Sequence, residues 1–185
     1  RNLLNKINHT HCHDVSIFLR IRQLIYKLSK RIQLFKCIVI DPDNVINIGL
    51  LTLVFGLKII IIDSKYKKNS FHNSLKKNFP NIKIDFNGYK SLIKKYKSLD
   101  NGFKKNNIIY LEKNDISKLP KNYFNFAINI ESFQEMKNKT LINYIEKIGH
   151  ILKPNNFFIL ITKKKLFSFN DSSLIKKPGN IDLKI

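Results

Sequence analysis

The sequence predicts an α/β domain, a mostly parallel sheet with helices on both faces. Three observations predict it. Short runs of β-branched and aliphatic residues recur along the C-terminal two-thirds of the chain. These runs are continuously apolar rather than alternating, as strands buried on both faces are. Segments of helical spacing lie between them, the order that βαβ units impose. With 185 residues, 43% of them hydrophobic, the chain is large enough for one domain with a sizeable core.

The elements follow in order. Residues 1–36 are ambiguous as a segment: Val15 to Leu19 reads as a strand or as the first turns of a longer helix, and Arg22 to Gln33 carries Leu24, Ile25, Leu28 and Ile32 at helical spacing. Cys37 to Ile40 is a strand stopped by Asp41-Pro42. Val45 to Phe55 is an apolar helix with Gly56 placed to end it, and Lys58 to Ile62 is a strand closed by Asp63. Residues 64–106 are rich in Lys, Asn and Ser, with turn signals at Asn87-Gly88 and Asn101-Gly102; short helices, long loops and an inserted or variable region are expected there. Asn107 to Leu111 is a strand, followed by a loop carrying Asp115 and Pro120, and then a strand from Phe124 to Ile130. Thr140 to Leu152 is an amphipathic helix with Leu141, Tyr144, Ile145, Ile148 and Leu152 on one side. Lys153 to Asn156 is a turn, and Phe157 to Thr162 the closing strand.

The formal net charge of +21 points at first to nucleic acid. The composition weakens that reading. There are thirty Lys against four Arg, alongside thirty Ile, twenty-three Asn and a single Ala, the skew of an AT-rich coding bias. Arg is the residue that bidentate phosphate and base recognition prefers. Solvated lysine is therefore the favoured reading, and a polyanion-binding surface the other. Cys12 and Cys37 are too few for a disulfide framework, so a reducing, cytoplasmic setting is expected. The first residues lack the apolar core of a signal peptide. The longest apolar stretch, Val45 to Ile62, is interrupted by Asn47, Gly49, Gly56 and Lys58, which argues against a membrane span. The chain starts without Met, which suggests a fragment.

In an open parallel sheet, ligands bind beyond the carboxyl ends of the strands. The residues to weigh are thus Asp41, Asp63, Asp115 and the segment Asn129 to Met136. Here the sequence resembles the class I S-adenosylmethionine-dependent methyltransferases, which have a Rossmann-like fold. Asn114-Asp115-Ile116, Leu119-Pro120 and Phe124 to Asn129 are similar to the family's passage of an acid, a Leu-Pro and an apolar strand. His150 to Phe157 resembles the family's Lys-Pro-Gly-Gly turn, with Asn155-Asn156 in place of the glycines. Ile128 to Met136 resembles the Ser-Phe-Gln-Glu-Met signature of the sugar O-methyltransferase family, and Ile38 to Pro42 that group's Ile-Ile-Asp-Leu-Pro passage. The likeness covers roughly residues 34–165.

The resemblance implies S-adenosylmethionine as cofactor and a sugar hydroxyl, free or on a glycan, as acceptor. It places Asp41 after the second strand, where a carboxylate accepts the ribose hydroxyls; Asp63 is the rival. It gives Asp115 the adenine amino group, Ile116 a backbone N–H to the ring, and Asn129 a place beside the methyl group. Methyl transfer needs in-line positioning and a base for the hydroxyl proton. Glu135 and Glu131 are the candidate bases. Each has a blander reading. The aspartates serve as turn or cap residues, and Glu135 forms a capping box with Ser132. Phe133 and Met136 read as core, and His150 as packing at a helix end.

The family's glycine-rich cofactor loop has no counterpart, since no glycine precedes Gly49. Counted back from Asp41 at the family's spacing, that loop falls on Ser16 to Arg22, whose side chains would fill the place of the methionine and ribose. A degenerate, non-catalytic protein of the same fold is therefore the first alternative, and a basic nucleic-acid-binding or RNA-modifying domain the second. His9-Thr10-His11-Cys12-His13 crowds four metal-ligand types together, but no distant second pair is evident and no metal site is expected.

Overall fold

The structure is a computed structural model that describes residues 19, 21–23, 25, 36–42, 45–130, 132–161 and 182–184. Seven strands form one sheet: β1 (Lys36–Ile40), β2 (Lys58–Asp63), β3 (Ile84–Asp85), β4 (Ile108–Glu112), β5 (Phe124–Ile130), β6 (Leu152–Ile161) and β7 (Asp182–Lys184). Their order is β3-β4-β2-β1-β5-β6-β7, and every described pairing is parallel. From β1 the chain moves outward through β2 to β4. It then returns to the other side of β1 as β5 and continues to β6 and β7. The strand order therefore reverses between β1 and β5, where open α/β sheets hold their ligands.

The helices are α1 (Val45–Phe55), α2 (Lys68–Asn78), α3 (Tyr89–Tyr96), α4 (Leu99–Lys105) and α5 (Asn138–Ile151). They cover both faces. Because strand side chains alternate, Ile38, Ile40, Ile60 and Ile62 point to one face, where they pack with Leu92 of α3, Phe103 of α4 and Leu141 and Ile148 of α5. Cys37, Val39, Ile59 and Ile61 point to the other, against Ile48 and Leu51 of α1, Phe71 and Leu75 of α2, and the buried Ile21 and Ile25. The expected fold class is the one observed.

α1 carries no charged residue, and Gly49 lies within it. A Cβ at Gly49 would overlap the ring of Phe79, so the first glycine after β1 lets α1 pack against the end of α2. Thr52 quiets its buried hydroxyl by donating to the carbonyl of Ile48 at 2.9 Å.

Three expectations differ from the structure. Residues 64–106 hold α2, α3, α4 and the edge strand β3 with short connections, rather than long loops. Asn101-Gly102 is not a turn but lies inside α4, which Ser98 caps by accepting from the Asn101 N–H at 3.2 Å. The turn at Lys153 to Asn156 is absorbed into a longer β6. The register between β5 and β6 shifts there, and the Asn156 amide donates to the carbonyls of Lys153 and Pro154, each at 3.2 Å. Of the N-terminal segment, Leu19, Ile21 to Gln23 and Ile25 are helical; the rest of the helix expected over Arg22 to Gln33, the strand or helix from Val15, and the His9 to His13 cluster lie outside the described residues. Among the described residues, no helix is long and apolar enough to cross a membrane.

Candidate functional site

The carboxyl ends of three adjacent strands bring acids together. The ladder pairs Ile40 with Ile62 and Asp63 with Glu112, and the Asp41 N–H extends it by donating to the Ile62 carbonyl at 2.8 Å. Asp41 and Asp63 therefore close β1 and β2 side by side. Asp41 turns the chain with a φ of 48°, a left-handed conformation that Asp tolerates better than most residues.

β1 is the first strand of the sheet among the described residues. Asp41 thus closes the first strand and Asp63 the second. The strand position that the resemblance assigns to Asp41 is the one Asp63 holds. The physical reason is the pairing: β1 lies at the switch, with β2 beside it and then β4.

The two carboxyls differ in environment. Asp63 is fully buried. Its Oδ1 accepts from the Ser64 N–H at 2.6 Å, whereas its Oδ2 meets no donor among the described residues. Burial, then the hydrogen bond and charge of Asp41, push its pKa up to about 7, against the opposing Ser64 N–H and Lys67. Burial acts on Asp41 in the same direction, but the neighbouring Asp63 carboxyl and the ammonium groups of Lys113 and Lys67 outweigh it and hold this carboxyl below the ordinary range. Lys113 reaches Asp41 at 2.9 Å and Lys67 at 3.2 Å. The protonated form is thus favoured at Asp63 and the ionised form at Asp41. Tyr110 underlies it, with its hydroxyl donating to the Ser64 carbonyl at 3.0 Å; burial and then the Asp63 charge raise its pKa.

Asp115 lies in a 3₁₀ turn (Lys113–Lys118) just beyond β4. It accepts from the Tyr89 N–H at the start of α3, at 3.2 Å, and from Lys118 at 2.7 Å. It therefore caps a helix, and each of its oxygens has one donor. Ile116 beside it is buried in the core.

Asn129 is fully buried near the end of β5. Its amide donates to the Ile40 carbonyl at 2.9 Å and to the Ser132 hydroxyl, and its oxygen accepts from the Phe133 N–H at 3.1 Å. It ties β5 to the end of β1 across the switch. It also caps the turn Ser132–Glu135, a task the capping-box reading gives to Ser132. Phe133 and Met136 pack in the core as expected. Glu131 and the side chain of Glu135 lie outside the described residues, so neither candidate base is placed.

The structure thus gathers Asp41, Asp115 and Asn129 at one end of the sheet. Lys67, Lys113, Ser64 and Tyr110 complete the cluster, and sequence reasoning did not single them out. Nothing local marks two lysines among thirty, and the contacts to Asp41 span 26 and 72 positions of chain. Among the described residues, no group of His, Cys, Asp and Glu is arranged to hold a metal ion.

No family model matches the sequence, and no curated protein does. Solved structures do. A candidate sarcosine dimethylglycine methyltransferase from Galdieria sulphuraria superposes on 79% of this chain, with a TM-score of 0.55 and 10% identity. The fold is the Rossmann-like fold of methyltransferases. This chain covers 46% of that protein, less than half its length. More distant matches include phosphoethanolamine N-methyltransferase 2 from Haemonchus contortus, solved with S-adenosyl-L-methionine (TM-score 0.45, 12% identity, 86% of this chain and 32% of that one). Another is an S-adenosyl-L-methionine-dependent methyltransferase candidate from Methanococcus maripaludis (TM-score 0.40, 16% identity, 83% and 62%).

The residues fit one half of S-adenosylmethionine. An orphaned buried carboxylate oxygen on Asp63, with Asp115 at the next strand end, suits ribose hydroxyls and an adenine amino group. The methionine half finds no glycine cradle, because Gly49, the first glycine after β1, is packed inside α1.

Proposed function

We propose that this chain binds S-adenosylmethionine at the carboxyl ends of β1, β2 and β4 and is a methyltransferase acting on a sugar hydroxyl, on a small molecule or a glycan. The observation that carries the reading is the buried Asp63 oxygen that meets no donor, at the end of the strand beside the switch. A buried acceptor without a partner is costly, and two ribose hydroxyls would supply what it lacks. The sugar acceptor rests on the likeness of Ile128 to Met136 to the sugar O-methyltransferase signature.

When bound, the cofactor supplies an electrophilic methyl group on a sulfonium. The chain's own residues do the rest. Asp63, in its ionised form, would accept from the ribose hydroxyls, with Asp41 and its two lysines next to it. Asp115 would accept from the adenine amino group with its remaining lone pairs, and the Ile116 N–H would bond the ring. Asn129 acts as a positioning residue that fixes the β1 and β5 ends. Glu135 and Glu131 are the proposed acceptors of the hydroxyl proton.

A second reading, a non-catalytic protein of the same fold, is favoured by the complete burial of Asp63 and the lack of glycine between Asp41 and Gly49. Calorimetric titration separates the two. Binding of S-adenosylmethionine that weakens in Asp63→Asn supports the first; a folded sample giving no heat at millimolar cofactor supports the second.

A further inference from the structure

Asp41 holds two ammonium groups. Lys67 reaches its Oδ1 at 3.2 Å and Lys113 its Oδ2 at 2.9 Å. Among the described residues, each other aspartate in an ion pair, namely Asp85, Asp100 and Asp115, holds a single lysine. Lys113 opens the 3₁₀ turn after β4, Asp41 follows β1, and β2 stands between them. At about 4.8 Å per strand, the two strand ends lie roughly 10 Å apart. The Lys113 side chain therefore crosses the carboxyl end of β2, which Asp63 closes. Its ammonium group comes to rest at the switch, beside the buried Asp63 oxygen that meets no donor among the described residues.

Three features make the Lys113 contact exchangeable. The Lys113 side chain is 39% exposed, and an ion pair open to solvent contributes little to stability. Asp41 does not depend on it, because Lys67 alone supplies the opposite charge. An ammonium group also carries three N–H donors. The described residues engage one of them on Lys113, through Asp41. The group can thus turn to a second anion, and the four-carbon lysine stem gives it the freedom to do so.

We infer that Lys113 takes the carboxylate of the cofactor's amino-acid tail, standing in for the missing glycine loop. This rests on the cofactor reading above. An α-amino acid carries one ammonium and one carboxylate. It therefore inserts into a lysine–aspartate pair without changing the net charge there. Its carboxylate goes to Lys113, and its ammonium takes the place that Lys113 leaves at Asp41. Asp41, nearly buried, keeps two cationic partners throughout, Lys67 and either Lys113 or the ligand. A glycine loop would offer backbone N–H groups from beyond β1. With no glycine between Asp41 and Gly49, the donor comes instead from beyond β4. Lys113 is a binding residue in this scheme and takes no part in the methyl transfer.

The test is calorimetric titration with two thioethers, S-adenosylhomocysteine and 5′-methylthioadenosine. Both carry the adenosine, and only the first carries the amino-acid group. The wild-type chain is expected to bind the first about tenfold more tightly, as a charge-assisted contact allows. Lys113→Met is expected to weaken S-adenosylhomocysteine about tenfold and 5′-methylthioadenosine less than about twofold. Lys113→Gln is expected to do the same, so the outcome does not hang on the folding of one variant. Lys113→Arg keeps the charge and is expected to keep the preference. Lys118→Met breaks the ion pair to Asp115 instead and is expected to leave the ratio of the two affinities unchanged. Equal affinities in the wild type, or an unchanged ratio in the Met and Gln variants, overturns this inference and leaves the cofactor reading standing. Binding of neither ligand by the folded wild-type chain overturns the cofactor reading, and this inference with it.

Discussion

Asp41 and Asp63 close neighbouring parallel strands and titrate apart, Asp63 favouring its protonated form and Asp41 standing as the ionised partner of Lys113 and Lys67. The consequence for stability has a definite sign. An aspartate titrates near 4 in the unfolded chain and, for Asp63, near 7 in the folded one. The folded state therefore binds more protons across that window, and Asp63 lowers stability as pH rises from about 4 to about 7, with no further loss above it. Asp63→Asn keeps the acceptor for the Ser64 N–H without the titration. It is expected to raise the melting temperature at pH 8 by several degrees, on the order of 2 kcal/mol, and to leave it nearly unchanged at pH 4. Melting curves at the two pH values check this; an equal shift at both would contradict the raised pKa of Asp63.

Asn129 is a hub rather than a surface amide. Asn129→Ala strands the Phe133 N–H in a buried setting and leaves the Ile40 carbonyl only its longer bond from the Ser132 hydroxyl, at 3.4 Å. A loss of about 1–3 kcal/mol is expected in denaturant unfolding, chiefly from that unmet buried donor. A loss under about 0.5 kcal/mol would mean that water replaces the amide freely.

Gly49 and Phe79 interlock. Gly49→Ala drives a Cβ into the Phe79 ring and is expected to cost about 1–3 kcal/mol. In the Phe79→Ala background the same change should cost far less, because the obstructing ring is gone. Additive losses in that double-mutant cycle would contradict the packing.

Asp115 has two tasks that separate experimentally. Asp115→Ala removes the acceptor for the Tyr89 N–H and is expected to lower stability by about 1 kcal/mol. If it also receives the adenine amino group, S-adenosylmethionine affinity falls with it; lost stability with unchanged affinity leaves Asp115 as a helix cap alone.

Much of the fold was legible because its signals are local. Val45 to Phe55 and Phe124 to Ile130 coincide with α1 and β5, since an uninterrupted apolar segment bounded by breakers has few alternatives. Residues 64–106 were harder. Their lysines and asparagines dilute the periodicity of Phe71, Leu75 and Phe103, and Asn101-Gly102 mimics a turn until Ser98 is read as its cap. The candidate site was half legible. Acids following apolar runs marked the strand ends, but only the order β4-β2-β1-β5 tells that Asp63, not Asp41, closes the second strand. The Lys113 to Asp41 contact depends on the β1–β2–β4 stacking, which no local pattern encodes.

Isothermal titration of the folded chain with S-adenosylmethionine, beside Asp63→Asn and at pH 6 and pH 8, tests the central claim most directly. The account predicts measurable binding that tightens at the higher pH, as Asp63 frees its oxygen for the ribose, and that falls about tenfold or more in the Asn variant, as expected for a lost charge-assisted hydrogen bond. No heat at millimolar cofactor, or an affinity indifferent both to pH and to the loss of the Asp63 carboxylate, would contradict it.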